Sequence, residues 1–348
     1  MSLLQAIILG IVQGLTEFIP ISSTAHLIFA QRAMGLTLNA ENKTATIAVI
    51  QLGTLVAVLI YFARDIWNIS FAFIRDHLAL LRGQKSEAAM EMTMMGERQP
   101  KLSQEAWLGW LVIIGSIPVG VVGLLLKKQI EGTFTKNLWV IATMMVTIAI
   151  MLAVAEFVGK RKRGMDQLGV KDALAVGFAQ CLALIPGASR SGSTIMGGLF
   201  VGETREAAAR FSFLLSIPAI AASGLLELKE AIHNLPEGSY AALALATIIS
   251  GLVGYGSIWF LLRYLRTHST GIFIGYRLLV GIVLLVALWF GAISAQDETQ
   301  AATPQPGWTI GLPSSQSNTN NNRQDSVNSN RPSSKTNRNS SNNRAKGR

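Results

Sequence analysis

The sequence is poor in charge and almost without cysteine. Of its 348 residues only 14% are charged, half are hydrophobic, and mean hydropathy is +0.39. Soluble domains carry roughly 25% charged residues. The deficit excludes an ordinary water-soluble globule and points to a polytopic membrane protein. Cys181 is the one cysteine, so no intrachain disulfide can form and cysteine usage says nothing about compartment. The first residues lack a basic run and a small-residue cleavage site, so no removed signal peptide is expected. The net charge of +10 is uneven: residues 297–348 hold seven basic and three acidic residues, and the rest lies mostly in loops. That suits loops held against anionic lipid, and no nucleic-acid partner is expected.

Long apolar runs are what the chain has instead. A membrane-spanning helix needs about 20 apolar residues. Six windows meet that, at about 44–62, 107–126, 138–157, 211–228, 241–262 and 272–293. Two more, about 3–35 and 173–202, are interrupted midway by proline and polar residues. Irregular backbone at membrane depth survives only where protein buries it or a wet cavity borders it. Both therefore read as re-entrant helix–loop–helix segments. The expected fold is an all-α polytopic membrane protein of six transmembrane helices and two re-entrant segments.

Loop charge sets the expected orientation. Loops 63–106 and 158–172 are rich in Arg and Lys, the latter with the run Lys160, Arg161, Lys162, Arg163. The positive-inside rule places both in the cytoplasm, with Arg263 and Arg266 also inside and the tail outside. The stretch 86–97 (SEAAMEMTMMGE) reads as an amphipathic surface helix. The tail, 296–348, turns Asn/Ser-rich and basic, cannot bury a core and is expected to be disordered.

The two interrupted segments are alike. One carries PISSTAHL and the other PGASRSGST: a proline ends one half-helix and small hydroxyl residues open the next. With the orientation above they enter from opposite sides. That makes the membrane region, 1–295, an inverted-topology repeat of about 1–157 and 158–295, with the broken helices meeting near the midplane.

The residues at the breaks carry chemistry. Ser189, Ser191, Ser193 and Thr194 surround Arg190, after Pro186 and Gly187. Glycine admits a ligand close to the backbone. A helix N-terminus capped by hydroxyls attracts anions, and the planar guanidinium matches phosphate oxygens. At the first break Gln13 and Glu17 lie four apart on one helix face, and Ser22, Ser23, Thr24 and His26 follow Pro20. A carboxylate and an amide oxygen suit a hard cation, and a serine beside a histidine offers nucleophile and proton acceptor. The alternative use of such broken helices is transport of lipid phosphates or other anions.

QGLTEF with ISSTAHL resembles the first signature of the bacterial undecaprenyl-pyrophosphate phosphatases, the bacitracin-resistance proteins. PGASRSGST is similar to their second signature, and the likeness extends over about 1–293, including AVIQLGTLVAV and the pair Tyr276–Arg277. Gln13 stands where many members have Glu, and Ala25 where Gly is usual. The resemblance implies an enzyme of the bacterial cytoplasmic membrane that hydrolyses undecaprenyl diphosphate to undecaprenyl phosphate. The product recycles the lipid carrier for cell-wall synthesis, and the activity confers bacitracin resistance. It further implies the inverted-repeat fold, a site opening to the outer face and dependence on a divalent cation, Mg²⁺ or Ca²⁺. Carried onto this chain, the catalytic set is Glu17, Ser23, His26 and Arg190. Ser22, Thr24, Gly187, Ser189, Ser191 and Thr194 contact substrate, and Glu17 with Gln13 holds the metal. Ser23 is the expected nucleophile with His26 as base, and the reverse choice of His26 as nucleophile stays open. A homodimer is allowed by the sequence but not specified by it.

Overall fold

Eleven α-helices and two short 3₁₀ turns account for the regular structure among the described residues. The computed structural model describes 1–36, 40–82, 102–126, 137–234 and 240–295, without side chains for 40–45 and 225–234. The stretch 86–97 and the tail 296–348 lie outside the described residues. The helices are α1 (Leu3–Phe18), α2 (Ser23–Ala33), α3 (Ala40–Tyr61), α4 (Ala63–Leu81), α5 (Gln104–Leu125) and α6 (Leu138–Val158). They continue with α7 (Val170–Cys181), α8 (Arg190–Phe200), α9 (Arg205–Asn234), α10 (Tyr240–Leu265) and α11 (Gly271–Trp289).

Polar side chains start several of these helices where their free N–H groups need partners. Ser2 and Gln5 form a reciprocal cap on α1. The Ser103 hydroxyl accepts from the Ala106 amide at α5, and the Asn137 side chain from the Trp139 amide at α6. Five helices are individually long and apolar enough to cross a bilayer: Gln104–Leu125, Leu138–Val158, Arg205–Gly224, Tyr240–Leu265 and Gly271–Trp289. Thr46–Tyr61 qualifies only together with Ala63–Leu81, from which it is bent by 70°. The molecule is thus an all-helical membrane protein with five to six apolar helices.

The two interrupted runs break where expected. α1 stops at Phe18 before Pro20, and α2 restarts at Ser23. α7 runs through a 3₁₀ turn, Leu182–Leu184, to the break at Pro186, and α8 restarts at Arg190. With 11 residues each, α2 and α8 rise only about 17 Å, too short to span a bilayer alone. α1 packs on α10 and α2, while α8 packs on α6, α7 and α9. Phe18, Phe62 and Phe213 meet edge to face in the core beneath the first break.

One element departs from expectation. The region 63–106 reads as a charged loop, yet 63–81 is helical. α4 buries Ala72 and Asp76 and leaves Trp67, Phe71, Ile74, Leu78 and Leu81 exposed along one stripe. Six charged or imidazole groups in twenty residues disguised that three-to-four-residue apolar period.

Candidate active site

Both breaks use the same backbone device. Ser22, just before α2, has φ 81°, and Ser189, just before α8, has φ 71°. Left-handed backbone at a non-glycine residue costs on the order of 1–3 kcal/mol and persists where surrounding structure enforces it. Gly187 reaches φ 94° beside the Ile141 backbone, where a Cβ would sit 2.3 Å from the carbonyl oxygen. Only glycine fits there.

A buried guanidinium that the sequence reading gave no role holds the two breaks together. Arg277, fully buried on α11, donates to the Pro20 carbonyl in the first break at 3.3 Å. It also donates to the Gly187 and Ala188 carbonyls in the second, at 2.9 and 3.0 Å, and to Met145 at 3.3 Å. Breaking a helix strands its last carbonyls. The connecting turns add carbonyls of their own, and one five-donor fork collects three of these from two separate turns.

The functional side chains converge above this clamp. Arg190 Nη2 donates to Glu17 Oε1, forming an ion pair between residues 173 apart in sequence. Gln13 Nε2 donates to Glu17 Oε2 at 2.9 Å, and Gln51 Nε2, on α3, to Oε1 at 3.2 Å. Ser191 Oγ donates to the Ile19 carbonyl at 3.3 Å, a second tie between the breaks. The Ser189 hydroxyl caps α8 through the Gly192 amide, 3.2 Å away, and lies 3.2 Å from Ser191 Oγ. Thr194 Oγ1 donates back to the Arg190 carbonyl at 2.8 Å. It also meets Ser212 Oγ of α9 at 2.5 Å. A small cavity beside the pair is lined by Glu17, Phe18, Arg190, Ser191, Ser212, Phe213 and Ser216.

His26 is held differently from the sequence expectation. Its Nδ1 lies 2.7 Å from the Ser22 carbonyl, and its Nε2 lies 2.7 Å from the Tyr276 hydroxyl. A carbonyl can only accept, so Nδ1 carries a proton, and in the neutral ring Nε2 accepts from Tyr276. The two rings also stack, 5.6 Å apart and inclined by 17°. Ser23 and Thr24 form no hydrogen bond through their hydroxyls among the described residues, so Ser23 is not paired with His26 here. Sequence pattern singled out Gln13, Glu17 and Arg190, which the structure joins in one network, Ser191, which ties the two breaks, and His26, which pairs with Tyr276. It missed Gln51, Ser212, Tyr276 and Arg277, each a lone polar residue in an apolar helix; Tyr276 and Arg277 entered only through the family likeness.

Glu17 supplies a carboxylate, and Gln13 Oε1 is a buried acceptor with no partner. Among the described residues no three His, Cys, Asp or Glu cluster in a metal-binding arrangement. One carboxylate and one amide oxygen suit the way Mg²⁺ binds through few protein ligands plus substrate phosphates.

The fold and this site define a class: helical membrane proteins in which two broken helices bring an acid and an arginine together beside a hydroxyl-capped helix start. Residues 6–283 match the family model described as Bacitracin resistance protein BacA, and the chain belongs to that family. It is 49% identical over 287 residues to the Undecaprenyl-diphosphatase of Syntrophobacter fumaroxidans, covering 82% of this chain and 97% of that one. Over 298 residues it is 46% identical to the Undecaprenyl-diphosphatase of Mycolicibacterium gilvum, covering 85% of this chain and all of the relative. The Undecaprenyl-diphosphatase of Chloroherpeton thalassium is 45% identical over 304 residues, with the same coverage.

Proposed function

We propose that this protein hydrolyses undecaprenyl diphosphate to undecaprenyl phosphate and inorganic phosphate in the bacterial cytoplasmic membrane. The relatives carry that activity in their names. The observation in this chain that carries the reading is the Glu17–Arg190 pair, closed across two helix breaks at the hydroxyl-capped start of α8. Nothing specific favours the carrier alternative.

In the proposed mechanism the diphosphate enters between the breaks while its polyprenyl tail stays in lipid. Arg190 turns from Glu17 to the phosphate, and the α8 amino end with Ser189, Ser191 and Thr194 supports the developing charge. Such positioning and electrostatics supply most of phosphoryl-transfer catalysis. Ser22 and Thr24 with Gly187 border the same space. Glu17, released from Arg190, and Gln13 would hold a divalent cation, which would neutralise phosphate charge. Either Ser23 or His26 attacks the terminal phosphorus, its P–O bond to the departing undecaprenyl phosphate breaks, and water then cleaves the phosphoryl-enzyme to release inorganic phosphate. Since His26 Nδ1 is committed to the Ser22 carbonyl, any proton uptake or attack by His26 uses Nε2, which Tyr276 now covers.

The six-span inverted repeat is part of the same proposal, and the packing supports it. α1 packs on α10 as α7 packs on α5, and α3 on α10 as α9 on α5. Exchanging the first half for the second turns each pair into the other. The site is proposed to open outward, from the positive-inside reading of the loops.

The test is phosphate release from undecaprenyl diphosphate by purified protein, with and without chelator. The expected result is release that chelation abolishes. No release with metal present overturns the reading.

A further inference from the structure

Away from the breaks, the end of α6 carries a second charged site. Glu156 lies in its last turns. Its Oε1 accepts from Arg161 Nη1 at 2.8 Å and from Arg205 Nε at 2.7 Å, and Oε2 accepts from Thr270 Oγ1 at 2.7 Å. Two guanidinium groups thus share one carboxylate, and positive charge remains. Lys160 and Lys162, both exposed, flank Arg161 and add to it. Arg161 has left-handed backbone, φ 51°, and also donates to the Glu156 carbonyl at 2.6 Å. Those two bonds use Nη1 alone. Nε and Nη2 donate to nothing among the described residues, and the side chain is one-third exposed.

A groove of about 480 Å³ opens beside this guanidinium, between α6 and α11. Ala153 and Phe157 of α6 and Ile274 of α11 form its apolar wall, with Glu156 and Arg161 at one end. Ile150 and Val154 extend the apolar face of α6 away from the charged end, and both are exposed. The shape is amphipathic: cationic donors at the loop end, a hydrocarbon-facing wall behind them.

We propose that this groove holds one anionic glycerophospholipid of the leaflet on the Lys160–Arg163 side. The lipid phosphate sits against Arg161 Nε and Nη2, and an acyl chain lies along Ala153, Phe157 and Ile274. The charge left over after Glu156 is shared selects an anionic headgroup, and the guanidinium fork matches phosphate oxygens. Basic pockets between membrane helices hold such headgroups at anionic leaflets. A free phosphate would leave the apolar wall uncovered. The proposal does not depend on the phosphatase reading.

The test is native mass spectrometry of the full chain in detergent, titrated with phosphatidylglycerol or phosphatidylcholine. Wild type is expected to keep one phosphatidylglycerol with roughly fivefold or greater preference, the scale of one basic side chain at an anionic surface. Arg161→Gln should abolish the preference and Arg161→Lys restore part of it. Ala153→Trp, which fills the groove and keeps every charged side chain, should reduce binding of both lipids with an unchanged thermal midpoint. Equal retention of the two lipids by wild type overturns the proposal. So does undiminished phosphatidylglycerol binding by Ala153→Trp, which decides the matter should Arg161→Gln fail to fold.

Discussion

At the scale of single residues, the site is a set of buried polar groups that hold one another. Glu17 accepts from Arg190, Gln13 and Gln51, so its charge is compensated. An uncompensated carboxylate so deeply buried would be costly. Tyr276 does the same for His26: its hydroxyl occupies Nε2 and its ring fixes the imidazole plane. Tyr276→Phe keeps the stack and removes the hydrogen bond. The expected outcome in steady-state kinetics is a kcat lowered by roughly tenfold with KM nearly unchanged, because loss of the hydrogen bond at His26 Nε2 affects proton handling more than binding. If both constants stay at wild-type values, Tyr276 only packs.

At the scale of elements, the breaks are the design. A proline follows each first half-helix, joined by Gly187 at the second break, and a left-handed serine precedes each second half. Arg277 then pairs the stranded carbonyls of both turns. Arg277→Met removes the fork but keeps much of the stem's packing. It should destabilise by roughly 3 kcal/mol or more, since each buried carbonyl left unpaired costs about 1–3 kcal/mol. Activity should fall with it. Thermal unfolding and phosphate release check both, and a variant as stable as wild type would show that the carbonyls find other partners. These elements also mark what could be read from sequence. The breaks were legible because Pro20, Pro186 and clustered hydroxyls interrupt apolar runs, and the chemistry was legible because Glu17 and Arg190 are ionisable residues placed there. Gln51, Ser212, Tyr276 and Arg277 were not, because their meaning lies in contacts made across the fold; Tyr276 and His26 are 250 residues apart. α4 was not, because its charges hid an apolar stripe that only shows once the helix is drawn.

At the scale of the whole molecule, charge sits at one end of the helices. Arg163 forms a two-pronged pair with Asp172, both contacts at 2.6 Å. Glu203, in the connection between α8 and α9, lies next to them, fully buried, with neither carboxylate oxygen hydrogen-bonded. Burial, with Asp172 adding repulsion against the attraction of Arg163, pushes its pKa up to about 8. The folded protein therefore keeps a proton that the unfolded chain releases above its ordinary value of 4.5. Stability from this group is complete below that value and is lost as pH rises through about 8, by at most about 1.4 kcal/mol per pH unit. The thermal midpoint should fall between pH 5 and pH 8, and Glu203→Gln should flatten that slope. A slope unchanged by the substitution would assign it to other groups.

The central claim is that Glu17 and Arg190, brought together by two broken helices, act as one unit on one diphosphate. A double-mutant cycle in phosphate release tests it most directly. Arg190→Ala and Glu17→Gln should each lower kcat/KM by roughly a hundredfold or more, and the double variant by little beyond the worse single one, since residues acting as a unit are not additive. Near-normal turnover in either single variant, or losses that multiply in the double, would contradict the account.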